Sequence, residues 1–123
     1  MIGYVTIGVS DMERAKKFYT ELLSDRGAKV TLDVGRIAFI GNQPGAPMLA
    51  VCEPYDGGDC APGNGTMVAF AADSKEHAQA MYDKAISLGA TDEGEPGQRV
   101  PDMFYGAYVR DADNNKICFY VFG

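Results

Sequence analysis

The chain has no tryptophan, one histidine and three cysteines among 123 residues. A lone histidine, His77, argues against metal centres and nucleophile pairs built on imidazole. Cys52, Cys60 and Cys118 are odd in number and show no CxxC spacing, which argues against both a disulfide framework and a thiolate zinc site. Basic residues are also scarce: 11 Lys and Arg stand against 17 Asp and Glu, for a formal charge of −6. A nucleic-acid backbone or an anionic membrane surface would repel such a chain. No apolar run approaches the roughly 20 residues that span a bilayer, and no basic segment precedes an apolar one at the N-terminus. The expectation is a cytoplasmic protein with no nucleic-acid or membrane partner.

What the chain does have is a repeat. Tyr4-Val5-Thr6-Ile7-Gly8-Val9-Ser10, followed by Glu13, Ala15, Phe18 and Tyr19, lies over Met67-Val68-Ala69-Phe70-Ala71-Ala72-Asp73, followed by Glu76, Ala78, Met81 and Tyr82. The offset is a constant 63 residues, and Val, Glu, Ala and Tyr recur identically. Two copies of a unit of about sixty residues are implied. Each is too small to bury a good core alone, so the copies are expected to pack together with any functional site between them.

Within the first copy, Tyr4 to Val9 alternates as a half-buried strand, with Val5, Ile7 and Val9 on one face and Tyr4, Thr6 and Gly8 on the other. Ser10 is the expected N-cap, with Glu13 closing a capping box ahead of a helix that ends near Gly27. Strands follow at Ala28 to Asp33, Arg36 to Ile40 and Met48 to Glu53. The Gly- and Pro-rich segment 54–65 reads as a linker, because a strand and not a helix N-terminus follows its glycines. The second copy repeats the order: a strand at Thr66 to Ala72, Asp73 as N-cap, a helix to Gly89, and strands near Thr91 to Glu93, Tyr105 to Arg110 and Lys116 to Phe122. The turn Asp111-Ala112-Asp113-Asn114-Asn115 joins the last two.

Three stretches, YVTIGVSDMERAKKFY at Tyr4 to Tyr19, PGNGTMVAF at Pro62 to Phe70 and VRDADNNKI at Val109 to Ile117, resemble the vicinal oxygen chelate superfamily, which includes glyoxalase I, extradiol dioxygenases and bleomycin-resistance proteins. The resemblance implies an α+β fold of two tandem βαβββ modules, residues 1–53 and 66–123 around the linker 54–65, in a single domain. Its mixed sheet would curl into a cup with the helices on the outer face. It also implies a metal-binding His on the first strand of one or both modules and a carboxylate on a closing strand. Tyr4, Met67 and Cys118 stand at those positions here, with Glu53 the one remaining acid, so no metal and no cofactor are expected. His77 lies in the second helix, away from the cup and facing solvent.

Period-two alternation then assigns Tyr4, Thr6, Met67, Cys118 and Tyr120, with Tyr105, to the cup lining, and Ile117, Phe119 and Val121 to the helix side. That lining suits a small organic ligand, or else fills the cup as a second core. Cys118 as nucleophile lacks a base, and apolar surroundings raise a thiol pKa. Arg36 and Arg110 stand at strand edges, either for a ligand carboxylate or for surface ion pairs. The leading expectation is a metal-free, bleomycin-resistance-like protein that sequesters a small organic molecule, which the acidic charge would make cationic. The alternatives are a glyoxalase-like lyase or dioxygenase-like enzyme with non-standard residues, and a structural or partner-binding dimer. Sheet edges and the limited single-chain core predict a homodimer in any case.

Overall fold

Alternation along Tyr4-Val5-Thr6-Ile7-Gly8 leaves one face of this segment apolar, and the segment folds as strand β1 (Tyr4–Gly8). The structure, a computed structural model, describes all 123 residues as two units, Met1–Ala61 and Pro62–Gly123. After β1 the first unit continues with helix α1 (Met12–Leu22), a 3₁₀ turn at Ser24–Arg26, and strands β2 (Lys29–Asp33), β3 (Ile37–Gly41) and β4 (Met48–Cys52). The sheet order is β1-β4-β3-β2. Strand β1 runs parallel to β4, with Tyr4 opposite Met48 and Gly8 opposite Cys52, and the other pairings are antiparallel. A parallel pairing needs a crossover, and α1 supplies its helical part. The helix buries Ala15, Tyr19 and Leu22, and Ile7, Ala38, Ile40, Leu49 and Val51 are buried in the sheet beside it. Lys16 ties α1 to the edge strand through Asp33 at 2.8 Å.

The second unit contains β5 (Val68–Ala71), helix α2 (Lys75–Ser87), β6 (Thr91–Val100), β7 (Phe104–Arg110) and β8 (Lys116–Phe122), in the order β5-β8-β7-β6. Strand β5 is parallel to β8 and the remaining pairs are antiparallel. Its core joins Ala78, Met81, Tyr82 and Ala85 of α2 to Ala107, Val109, Ile117 and Phe119, with Phe70 stacked on Phe119 at 6.3 Å. Each unit is a βαβββ module, and the class is α+β, as the duplicated pattern implied.

Both helix starts fall one residue later than the capping pattern implied. Asp11, not Ser10, caps α1 by accepting from the Arg14 N–H at 3.0 Å; Ser74, not Asp73, caps α2 by accepting from His77 N–H at 3.0 Å. In each unit the parallel ladder runs one residue past the strand, with Val9 donating to the Cys52 carbonyl and Ala72 to the Tyr120 carbonyl, and the N-cap is the second residue after that bond. At the other end of α2, Gly89 has φ of 104°; its N–H bonds to Ile86, and Ala90 N–H bonds back to Ala85, the paired closure that a left-handed residue permits.

Two features of the second unit set where its side chains point. The Asp111 carboxylate accepts from the N–H groups of Asp113 and Asn115 at 2.9 Å each and from the Asn115 amide at 3.0 Å, and this buried cradle holds the β7–β8 turn. Strand β6, expected to end near Glu93, runs on to Val100 across Gly94, Pro96 and Gly97. Those residues read as turn formers, but β6 is an edge strand and its register shifts between Gly94 and Gly97, where a residue without an N–H is tolerated.

Phe119 is fully buried among α2 and three strands, so Phe119→Ala should cost about 3–5 kcal/mol in urea unfolding. Ser74→Ala, which removes only the cap, should cost about 1 kcal/mol by the same measurement.

Candidate functional site

One helix covers one face of each four-stranded sheet, so period-two geometry leaves alternate residues of every strand on an open face. In the first unit, Tyr4, Thr6 and Gly8 of β1 are in register with Met48, Ala50 and Cys52 of β4, and Ala50 is opposite Phe39 of β3. Tyr4 and Phe39 meet edge to face at 4.9 Å, and Ala50 is fully buried. Tyr4 itself remains 51% exposed. Thr31 donates to the Met48 sulfur at 3.5 Å. Cys60, past the end of β4, approaches the bare backbone of Gly8. This face is apolar, with hydroxyl and thiol tips.

In the second unit the open face is carried by the antiparallel pairs Tyr108 with Cys118, Gly106 with Tyr120, and Phe104 with Phe122. Phe104 and Tyr120 stack in parallel at 5.5 Å, and Phe122 meets both edge-on, remaining 74% exposed. Beside this aromatic group, Tyr108 lies against Gly94 of β6, where an added Cβ would come within 2.8 Å of its ring. Arg99 folds back over the same bare stretch, donating to the Glu95 carbonyl, and sits over the Tyr108 ring at 5.3 Å. Lys116 lies over that ring as well, also at 5.3 Å.

The residues singled out from sequence are distributed unevenly. Tyr4 and Thr6 lie on the open face of the first sheet, and Tyr120 on that of the second. Met67 precedes β5 and is 41% exposed. Cys118 occupies an open-face register position but is fully buried. Its thiol is pushed up to about 11, first by burial and against the opposing pull of Arg99, Lys116 and a hydrogen bond with Tyr108. Tyr105 must be corrected: it is opposite Val121 on the helix side, with the Lys75 ammonium of α2 over its ring at 5.8 Å. The register of the turn puts odd residues of β7 with odd residues of β8, so Tyr105 follows Val121 beneath the helix.

His77 is also placed differently. It is half-buried at the start of α2, where its Nδ1 accepts from the Asp73 N–H at 3.0 Å, a capping role and not a solvent-facing one. Arg36 donates to the Glu53 carbonyl at 2.9 Å and covers Tyr55, while Arg110 pairs with Glu93 at 3.2 Å and donates to Asn114. Tyr108, Arg99, Lys116, Phe104 and Phe122 were not singled out from sequence. The parity that selected Cys118 and Tyr120 would have added Lys116 and Phe122. The β7 partners needed the register, and Arg99 needed the extension of β6.

Metal chemistry does not fit the donors present. No group of three or more His, Cys, Asp or Glu side chains is placed to hold an ion. The first-strand positions offer a phenol and a thioether, and the closing one a buried thiol whose thiolate is disfavoured.

The comparisons with known proteins agree with the two βαβββ units. Residues 1–119 match the family described as the Glyoxalase/Bleomycin resistance protein/Dioxygenase superfamily. A solved glyoxalase/bleomycin resistance protein from Albidiferax ferrireducens T118 is 36% identical over 98% of this chain and 97% of that one, with a TM-score of 0.84. Two more distant structures share the fold. Hypothetical protein SA1046 from S. aureus is 22% identical over 98% of this chain and 92% of its own, with a TM-score of 0.75. Glyoxalase I from Zea mays is 23% identical over 97% of this chain and 43% of its own, with a TM-score of 0.76. No functionally curated protein matches the chain. The chain belongs to the glyoxalase/bleomycin resistance/dioxygenase superfamily.

The Cys118 thiol has a folded pKa of about 11, above its ordinary 9.0, so the stability it contributes is complete below pH 9 and is lost as pH rises toward 11. Tyr82, pushed up to about 12 by burial and then by its hydrogen bond to Asp92, acts in the same direction at higher pH. Urea midpoints should therefore hold up to about pH 9 and fall above it, and Cys118→Ala should flatten the first part of the fall. At pH 8 a thiol reagent should titrate the half-buried Cys52 and Cys60 first and Cys118 only after unfolding.

Proposed function

We propose that this chain is a small-molecule-binding protein of the superfamily, which takes an organic ligand on the open faces of its sheets without a metal ion. The observation that carries this reading is the set of rings left half-exposed there: Tyr4 and Phe39 on one sheet, Phe104, Tyr108 and Tyr120 on the other. Rings with polar tips bind flat organic molecules through area and orient them by single hydrogen bonds. Thr6 and Met67 extend the same lining. Sequestration asks for affinity and for no catalytic group, and Cys118, buried with its thiolate disfavoured, is poorly suited to be a nucleophile.

A homodimer is part of the proposal. Val30 and Leu32 on edge strand β2, with Val34 just beyond it, are exposed apolar residues, and an unpaired edge invites a second copy. The cytoplasm is its proposed location, supported by three free thiols. No helix is long and apolar enough to cross a membrane.

Three measurements test the reading. A thermal-shift screen of small aromatic and heteroaromatic compounds should find molecules that raise the melting temperature, and Tyr4→Ala for a ligand on the first sheet, or Tyr120→Ala for one on the second, should lower its affinity about tenfold. A screen without a single stabilising compound favours a structural role. Elemental analysis should find less than stoichiometric metal; one firmly held ion per chain would favour the enzyme. Light scattering coupled to size exclusion should give about twice the chain mass at low micromolar concentration.

A further inference from the structure

We infer that the open face of the second sheet recognises a small organic carboxylate, with the anion drawn to Arg99 and Lys116 beside Tyr108 and the apolar body laid on the Phe104–Tyr120 stack. This rests on the small-molecule reading above and names the class of ligand. The chain as a whole is acidic, at −6, and by net charge alone it should prefer a cation. The local arrangement reverses that preference.

Tyr108 is the one ring bracketed by two cations, one reaching it from each neighbouring strand: Arg99 from β6 and Lys116 from β8, both 5.3 Å from its centroid. Neither cation has a carboxylate partner. Arg99 is held by the Glu95 carbonyl and Lys116 by the ring, whereas Lys16 and Arg110 each pair with an acid. Of the acids of β6, Glu93 is taken by Arg110, which stands directly opposite Lys116, and Asp92 accepts from the Tyr82 hydroxyl on the helix side. Two cations beside one ring make the local potential positive, and an anion on this face lowers it while accepting a hydrogen bond from the one it reaches.

The bare backbone of Gly94, Gly97 and Gly106 lets the Tyr108 and Phe104 rings and the Arg99 guanidinium lie close on the sheet, with Gly97 directly opposite Gly106. The Phe104–Tyr120 stack begins at the next register position along the strands. A charged end and a flat apolar end therefore adjoin on one surface, the two halves of an aromatic or otherwise apolar carboxylate.

Benzoate, benzamide and benzamidine share one shape and carry charges of −1, 0 and +1 near neutral pH, so calorimetric or NMR titration with the three separates charge from shape. Benzoate should bind about tenfold more tightly than benzamide, with benzamidine weakest, and its affinity should fall as salt is raised. Arg99→Gln and Lys116→Gln should each lower benzoate affinity about tenfold and leave benzamide unchanged. Perturbation of the Tyr108 and Tyr120 resonances should locate the ligand. If benzamide or benzamidine binds at those tyrosines as well as benzoate does, the carboxylate preference is wrong and the small-molecule reading stands. If none of the three binds the folded protein at millimolar concentration, the carboxylate site is rejected, and the broader screen decides the reading beneath it. Unchanged benzoate affinity in both folded variants overturns the assignment to Arg99 and Lys116. Should either variant fail to fold, the charge series and salt dependence of the wild-type protein decide alone.

Discussion

Everything in each unit depends on the parallel pairing of its first strand with its last. That pairing demands a crossover, the crossover supplies the unit's one long helix, and this helix shields one side of a four-stranded sheet. The side chains on the other side are then unavailable to the unit's own core. The ladder also bounds where the helix can begin: its last hydrogen bond, at Val9 or at Ala72, comes two residues before each N-cap. Fold and open face are thus two results of one constraint.

Matching the two sheets by their registers shows where the copies have diverged. Val5 pairs with Leu49 in one and Val68 with Ile117 in the other, so Met48 corresponds to Lys116, and Ala38 with Val51 to Ala107 with Phe119. Beneath the helices most residues remain small or aliphatic, with Phe70, Tyr105 and Phe119 the larger exceptions in the second unit. On the open faces Phe39 has become Tyr108 and Met48 has become Lys116, an apolar face in one copy and a cationic one in the other. Burial restricts the first set to a narrow range of volumes, whereas the second answers only to what it meets.

Much of the architecture was legible because duplication repeats its own signal: two alternating strands, two helices and the order strand, helix, three strands can each be read twice. The open face of each sheet was legible where a single strand's alternation was enough, as for Tyr4, Thr6 and Tyr120. It was illegible where partners mattered. Tyr105 was assigned to the wrong face because an isolated strand has no absolute parity; only its pairing with Val121 reveals which side it takes. Arg99 was hidden by a glycine- and proline-rich stretch that reads as a turn in isolation and is held extended by Tyr105 and Gly106 across the ladder. Cys118 was placed at the right register position, but its burial depends on neighbours that no one-dimensional pattern specifies.

The Asp111 cradle has an evolutionary corollary. Its carboxylate counts residues as well as binding them, since it accepts from the backbone N–H groups two and four residues on, at Asp113 and Asn115. A loop of this kind accepts changes of identity at an exposed position such as Ala112, but resists changes of length, because a one-residue slip of β8 would turn Lys116 and Tyr120 under the helix and Ile117 and Phe119 out to water. The segment 54–65 joins the units through largely exposed turns, where the Asp56 carboxylate accepts from Gly58 N–H alone and spans only two residues. Insertions and deletions among relatives should therefore gather in that connection and avoid residues 111–115, making the short loop a natural landmark for aligning chains whose open faces no longer resemble one another.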